Sequence, residues 1–163
     1  MKKVGIVMGS DSDLPVIRKA VDQLEKLNIP YEAHIYSAHR TPEEARYFAR
    51  SARGNGFGVI IAAAGMAAHL AGAIAANTTL PVIGIPCQGP CFEGMDALLS
   101  TVQMPTGIPV ATVAVNGGAN AALLAAQILA VEEPELAAAL EAKRAADAKA
   151  VLEKDARLTI KEN

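Results

Sequence analysis

The stretch Lys3-Val-Gly-Ile-Val-Met-Gly-Ser-Asp-Ser-Asp13 decides the fold, because an apolar, β-branched run stops abruptly at Gly9. Apolar residues then recur at helical spacing as far as Asn28, so the stretch predicts a buried strand that turns into a helix. The same order repeats along the chain. The predicted strands are Lys3 to Met8, Tyr31 to Tyr36, Gly58 to Ala62, Val82 to Ile85 and Val110 to Val115. The second predicted helix begins at Thr41-Pro-Glu-Glu44, with the Thr41 hydroxyl as its cap. The later predicted helices are Ala67 to Ala76, Glu93 to Val102 and Ala119 to Ala130.

Strands that alternate with helices favour a parallel sheet covered on both faces and joined by right-handed crossovers. We therefore expect an α/β fold, a three-layer αβα sandwich with a five-stranded parallel sheet, flavodoxin-like or Rossmann-like. In such sheets, ligands bind at the carboxyl ends of the strands. The 163 residues fit one domain, 1–163, and a long Ala-rich helix from Pro134 to about residue 158 has an apolar stripe thin enough to predict packing against a neighbouring subunit.

Composition excludes several classes of partner. The net charge is −2, the pI is about 5.9 and the basic residues are scattered, so we expect neither nucleic acid nor an anionic membrane. Met1-Lys-Lys runs straight into a strand rather than a signal peptide, which predicts a cytoplasmic protein. The uncharged run from Val59 to Ala76 is as long as a membrane helix, but its β-branched start and Gly65 favour strand, turn and helix.

The first strand exit, Gly9-Ser-Asp-Ser-Asp13, places hydroxyls, backbone N–H groups and carboxylates at the start of a helix. That arrangement predicts an anion pocket, although Ser and Asp are also the residues that cap helices. Neither a phosphate loop of the Gly-x-x-x-x-Gly-Lys type nor a dinucleotide fingerprint is present in the sequence, so ATP and NAD are unsupported. No Gly-x-Ser-x-Gly elbow indicates a serine hydrolase.

The second strand exit, Ser37-Ala-His-Arg40, sets a histidine beside an arginine. An imidazole changes charge near neutral pH and a guanidinium grips phosphate with two hydrogen bonds, so the pair predicts proton transfer beside an anion clamp. The alternative is a solvated loop histidine and a surface arginine. His34 lies inside a predicted strand, which favours a packing or surface role.

His69 and the two cysteines can each be interpreted in a structural or a functional way. The third exit offers small residues and His69, which is expected within a helix and, taken alone, is more typical of a core histidine than of a catalyst. Cys87 and Cys91 have metal-ligand spacing, but no second pair accompanies them, so we expect no metal.

Five ordered motifs, which together span nearly the whole chain, resemble the N5-carboxyaminoimidazole ribonucleotide mutase family of bacterial purine (IMP) biosynthesis. They are Gly9-Ser-Asp-Ser-Asp13, Ser37-Ala-His-Arg-Thr-Pro42, Ala67-Ala-His-Leu70, Gln103-Met-Pro105 and Asn120-Ala-Ala-Leu-Leu-Ala-Ala126.

The resemblance implies a flavodoxin-like homo-octamer, without metal or organic cofactor, acting as an isomerase on a small phosphorylated ribonucleotide. It implies that a carboxylate moves from an exocyclic nitrogen to C4 of an aminoimidazole ring, giving 4-carboxy-5-aminoimidazole ribonucleotide. His39 would be the catalytic acid and base. The other expected site residues are Ser10 and Asp13 as substrate contacts, Arg40 as the phosphate clamp, and Ser12, Ser37, Gly65 and His69 on the pocket wall.

The sequence departs from the family pattern at the third exit, where Ala63, Met66 and Ala71 replace expected Gly or Pro and leave the fine substrate preference open. The segment from Cys87 to Phe92 is also unusual. Two alternatives remain: a related carboxylase that uses aminoimidazole ribonucleotide and CO2 directly, and a non-catalytic nucleotide-phosphate binding module. The resemblance favours the mutase, because direct carboxylases typically have Lys after the His and a more polar third exit, whereas this sequence has Arg40 and Ala67-Ala-His-Leu70.

Overall fold

The sheet of the computed structural model, which describes residues 1–160, is parallel and five-stranded, with the order β2-β1-β3-β4-β5. Residues 161–163, the end of the predicted domain, lie outside the described residues. The strands are β1 (Lys3–Met8), β2 (Tyr31–Ile35), β3 (Phe57–Gly65), β4 (Val82–Cys87) and β5 (Ala111–Thr112).

Helices cover both faces of this sheet, which confirms the three-layer αβα sandwich. One apolar cluster joins the sheet to the helices that begin at Leu14, Gly118 and Pro134, and a second joins its other face to those that begin at Pro42 and Leu70. The helices are α1 (Leu14–Lys26), α2 (Pro42–Ser51), α3 (Leu70–Ala75), α4 (Met95–Val102), α5 (Gly118–Ala130) and α6 (Pro134–Asp155).

Strand β1 shows why the two clusters form. Val4 and Ile6 belong to the first cluster and Val7 to the second, because successive side chains of a strand point to opposite faces. All three are fully buried, as expected for a central parallel strand covered on both sides. The carboxyl ends of β1, β2, β3 and β4 therefore meet at one edge of the sheet.

Predicted boundaries are wrong by three residues at two places: the strand predicted from Val110 to Val115 is only Ala111–Thr112, and the third exit differs as well. β3 continues to Gly65, and α3 begins at Leu70 rather than at Ala67, so His69 precedes the helix. The cause is a tight turn in which Met66 has a φ of 57°, outside the helical region, and the His69 N–H bonds to the Ala67 carbonyl oxygen at 2.7 Å. α4 likewise begins at Met95, after two residues with positive φ.

The predicted cap of α2 is wrong. The Thr41 hydroxyl makes no cap hydrogen bond to the helix. It accepts the Ser37 backbone N–H at 2.8 Å and lies 3.2 Å from the Ser37 carbonyl oxygen, to which it donates. The Thr41 hydroxyl thus closes the loop that carries His39 and Arg40 instead of capping the helix.

The apolar run from Val59 to Ala76 divides into β3, a turn and α3, as the sequence predicts. Within residues 1–160, no helix has both the length and the apolarity that crossing a membrane requires.

Candidate active site

A cavity of about 550 Å³ lies at the edge of the sheet where the strands end. The first three strand exits all line it, and every side chain and glycine predicted for the site is among its walls. These residues are Ser10, Ser12, Asp13, Ser37, His39, Arg40, Gly65 and His69.

The first exit forms a single 3-10 turn, Asp11–Asp13, immediately before α1. The Ser10 hydroxyl accepts the Ser12 backbone N–H at 3.3 Å and donates to the Asp11 carboxylate at 3.1 Å. Ser10 therefore caps the turn. The capping role expected of Ser in this loop and the predicted substrate contact thus fall on the same residue. The turn leaves Ser12 exposed and buries Asp13.

Asp13 is the buried carboxylate of the site, with only 8% of its surface exposed. Burial raises its pKa, and hydrogen bonds from the Cys87 thiol and from the Ser10 and Gly9 backbone oppose that rise. Burial beside this carboxylate also raises the pKa of Cys87 to about 12, so its sulfur stays a thiol, and Sγ lies 3.8 Å from the Ile85 carbonyl oxygen. Cys87 thus interacts with Asp13 from within the core.

The second exit is held by Ser37. Its hydroxyl oxygen accepts the backbone N–H groups of His39 at 3.3 Å and Arg40 at 3.1 Å. This small turn aims both side chains outward, and both are exposed. Within residues 1–160, the His39 ring makes no hydrogen bond and the Arg40 guanidinium makes no ion pair, so both are free to meet a ligand.

His69 faces His39 across the cavity. The ring centroids are 5.9 Å apart and the planes differ by 18°. The core interpretation of His69 is therefore wrong: its side chain is exposed, because the turn before α3 lifts it out of the helix and into the cavity. His34 instead bonds to Glu32 at 2.8 Å and stacks on Tyr36, away from the cavity.

The third exit forms a wall of small residues. Gly65 pairs with Cys87 in the sheet, and a Cβ at Gly65 would lie 3.3 Å from the Cys87 carbonyl oxygen, closer than ordinary contact. Ala64 and Ala67 continue this wall. A flat ligand can consequently approach the backbone closely here.

The fourth exit, Gln88-Gly-Pro90, also lines the cavity, and the sequence prediction missed it. Asn116 holds it in place: its side chain accepts the Gln88 N–H at 2.9 Å and donates to the Gln88 side-chain oxygen at 3.2 Å. Gln88 also donates to Glu93. The sequence does indicate this segment, since it directly follows a predicted strand and ligands bind where parallel strands end.

A larger cavity of about 900 Å³ opens at the opposite edge of the sheet, between Arg50, Arg53 and the segment 75–82. Among the described residues that line it there is no histidine or carboxylate. The carboxyl ends of α2 and α3 point toward it, and arginines there complement the helix dipole. We therefore place the chemistry in the smaller cavity.

Metal chemistry has no evident support in the donor set. Across residues 1–160, no group of three or more His, Cys, Asp or Glu side chains is placed to hold a metal ion. Cys87 is buried under Asp13, whereas Cys91 is exposed and absent from the cavity wall.

The cavity thus combines an exposed guanidinium, two facing imidazoles and a buried carboxylate with a wall of small apolar groups. This arrangement can bind an anionic group and transfer a proton.

Comparison with known proteins agrees with this architecture. A family model described as AIR carboxylase matches residues 3–150. The chain is 56% identical to N5-carboxyaminoimidazole ribonucleotide mutase of Pyrococcus abyssi over 136 residues, 83% of this chain and 78% of that protein. It is 51% identical to the Thermotoga maritima mutase over 158 residues, 97% and 92% of the two chains. The crystal structure of Treponema denticola PurE superposes with a TM-score of 0.85 at 31% identity, covering 96% of this chain and 98% of that one.

Proposed function

The chain belongs to the AIR carboxylase family, and from this premise we propose that it catalyses the N5-carboxyaminoimidazole ribonucleotide mutase reaction. The observation that carries the proposal is the second exit, where His39 and Arg40 stand exposed and side by side at the rim of a cavity with small walls. The product would be 4-carboxy-5-aminoimidazole ribonucleotide, made without a change in redox state.

His39 is the acid and then the base of this mechanism. Its imidazolium donates a proton to the exocyclic nitrogen, the N–C bond breaks with its electron pair remaining on nitrogen, and CO2 is released. C4 of the ring then attacks CO2, and His39 takes the C4 proton. One proton is given and one is recovered, so the cycle balances. A group that titrates near neutral pH suits both steps, whereas an arginine or an ordinary carboxylate suits only one.

Binding residues supply the orientation. Arg40 holds the phosphate, Asp13 binds the ribose hydroxyls and Ser10 also contacts the substrate. The rest of the wall is formed by Ser12, Ser37, Gly65 and His69. Binding energy from the phosphate, which takes no part in the reaction, fixes the ring against His39.

The test is to incubate purified protein, without ATP, with N5-carboxyaminoimidazole ribonucleotide and to follow formation of the C4-carboxylated product. A parallel reaction contains aminoimidazole ribonucleotide and bicarbonate. Product from the first substrate supports the mutase. Product from the second alone would favour the direct carboxylase, and binding without product from either would leave only a nucleotide-phosphate binding module.

Arg40→Lys should weaken substrate binding, because an ammonium group cannot reproduce the planar fork of a guanidinium on phosphate. Losing one charge-assisted hydrogen bond of about 1.5–3 kcal/mol corresponds to a rise in KM of roughly 10- to 100-fold. Steady-state kinetics measures it, with Arg46→Lys as the matched control, since Arg46 pairs with Glu43 at 3.9 Å outside the cavity. An unchanged KM in Arg40→Lys would remove Arg40 from phosphate binding.

We also propose a cytoplasmic homo-octamer with one domain per subunit. The supporting observation is an apolar stripe along α4 and the turn before it, whose side chains are 46–67% exposed. They are Phe92 in the turn and Met95, Leu99 and Val102 in the helix. α6 gives the same indication, since Val151 and Leu152 are 62% and 67% exposed on a helix that packs only near its start. Exposed apolar surface at helical spacing is typical of subunit interfaces.

Leu99→Glu should shift the protein to smaller species. Burying a leucine contributes about 1.5–3 kcal/mol per subunit, and burying an unpaired carboxylate in its place adds a further penalty. Analytical ultracentrifugation measures the mass. Asn55→Glu adds the same charge on an exposed turn and should leave the mass unchanged. An octamer that survives Leu99→Glu would place the interface elsewhere.

A further inference from the structure

Met66 is an unusual member of the cavity wall. Among the described residues that line the cavity, it is the large apolar side chain left exposed, at 62%, while its neighbours are Ala64, Gly65 and Ala67. Leu70, the other large apolar lining residue, is buried. An isolated exposed methionine on a wall of small residues has a role that packing in this chain does not explain.

The backbone at Met66 is also unfavourable for a side chain. Its φ of 57° lies in the left-handed region that glycine, asparagine and aspartate prefer. The turn itself does not need a methionine, because it is closed by the Ala68 N–H bonding to the Met66 carbonyl oxygen at 2.9 Å. The fold would therefore be satisfied by glycine, and a side chain kept on strained backbone at a site points to function.

The side chain lies across two strand exits. The Met66 Cγ is 3.6 Å from the position that a Cβ on Gly89 would occupy, so the thioether chain passes over the bare backbone of the fourth exit. Gly65, directly before it, lies against Cys87 of that same neighbouring strand. Met66 thus bridges the third and fourth exits of the same cavity.

We propose that Met66 retains the CO2 that is released between the two halves of the reaction, an inference that rests on the proposed function. CO2 is uncharged and apolar, so a salt bridge cannot hold it, and a closed apolar surface can. A methionine side chain has three rotatable bonds and adapts to a ligand as it becomes buried. Substrate that fills the cavity would bury Met66 and seal the gap over Gly89 against water.

Retention matters because the released molecule has two fates. If CO2 stays, C4 attacks it and the C4 proton passes to His39. If CO2 escapes, the enzyme is left with aminoimidazole ribonucleotide, and the original carbon is lost to solvent. The fraction of the original carbon that appears in the product therefore measures how well the cavity holds CO2, independently of the rate of proton transfer by His39.

The experiment supplies N5-carboxyaminoimidazole ribonucleotide labelled with 13C in its carboxylate, together with excess unlabelled bicarbonate and carbonic anhydrase. The labelled fraction of the C4-carboxylated product is measured by mass spectrometry after subtraction of an enzyme-free blank. The variants are Met66→Gly, Met66→Gln, which is polar and of similar length, and Met66→Leu, which restores apolar bulk. Asn28→Gly is the matched control, since Asn28 has a φ of 53° but lies outside the cavity.

We expect wild type to keep most of the label and Met66→Gly to keep less by about threefold or more, with Met66→Gln similarly leaky and Met66→Leu closer to wild type. Met66→Gly should fold at least as stably as wild type, because glycine relieves the left-handed strain. Product formed by Asn28→Gly should retain as much 13C label as product formed by wild type.

The outcomes are distinguishable. Absence of product from wild type would overturn the proposed function and this inference with it. Product from wild type with equal label retention in Met66→Gly would overturn this inference alone, as would leakage in Met66→Leu as large as in Met66→Gly.

Discussion

His39→Asn abolishes product formation while leaving the fold and ligand binding nearly intact. General acid–base catalysis by a positioned group contributes about 10²- to 10⁴-fold to rate, and in the proposed mechanism His39 acts in both halves, so a loss of at least about 10³-fold is expected. Asparagine keeps the size and a hydrogen-bonding group but cannot exchange a proton near neutral pH. The His39 side chain is exposed, and its loop is held through backbone N–H groups and Ser37, so removing the ring leaves the loop in place.

Single-turnover product formation and calorimetric binding of aminoimidazole ribonucleotide together test this expectation. His34→Asn is the control, because His34 packs on Tyr36 outside the cavity and should retain turnover. Turnover by His39→Asn within tenfold of wild type would remove His39 from proton transfer, and a loss of ligand binding as large as the loss of turnover would assign it a binding role instead.

Gly118→Ala destabilises the fold strongly. A Cβ at Gly118 would lie 2.1 Å from the Val16 carbonyl oxygen, where α5 crosses α1, and the nearest atoms are backbone that cannot rotate away. Alanine is favoured over glycine in a helix by about 1 kcal/mol, but overpacking of this kind costs about 1–3 kcal/mol or more, and a rigid backbone contact belongs at the upper end. The steric clash therefore outweighs the helix propensity of alanine, and the free energy of unfolding should fall by about 2 kcal/mol.

Thermal unfolding should show this loss as a fall in Tm of about 4–8 °C. The effect should also reach the site, because α1 begins directly after Asp13 and moving α1 moves that carboxylate. Gly54→Ala is the matched control: its Cβ would lie 3.6 Å from the Ser51 carbonyl oxygen, which is ordinary contact. A Gly118→Ala protein with the Tm of wild type would show that α1 and α5 separate easily.

Much of this fold could be predicted from local pattern. β1 was predicted with its observed bounds, because an uninterrupted apolar run ending at glycine has few other solutions in a chain of this kind. The order of strands and helices followed from repetition of that pattern. The start of α3 could not be predicted, because an apolar, Ala-rich segment has no helical period to mark its first residue, and the left-handed turn at Met66 moved the start to Leu70.

The candidate site was predicted in part for a similar reason. Ser10, Asp13, His39 and Arg40 follow strands directly, so the rule for parallel sheets brings them together. The Cys87 thiol beside Asp13 could not be predicted from the sequence, since the two residues lie far apart in sequence and are brought together only by the fold. The expected cap at Thr41 failed because its hydroxyl had a closer partner in Ser37.

The opening strand and turn, Lys3 to Asp13, were determined by sequence alone, as was the set of residues that carry charge, protons and hydroxyls to the strand exits. Hydrophobic periodicity, helix- and strand-breaking residues and side-chain chemistry act over a few positions, so they can be recognised in the sequence itself. Tertiary structure alone decided that His69 faces His39 at 5.9 Å, that Met66 lies beside Gly89, and that Cys87 interacts with Asp13. These relations depend on strand register and on how closely layers pack, and both are set by the whole core rather than by any local stretch.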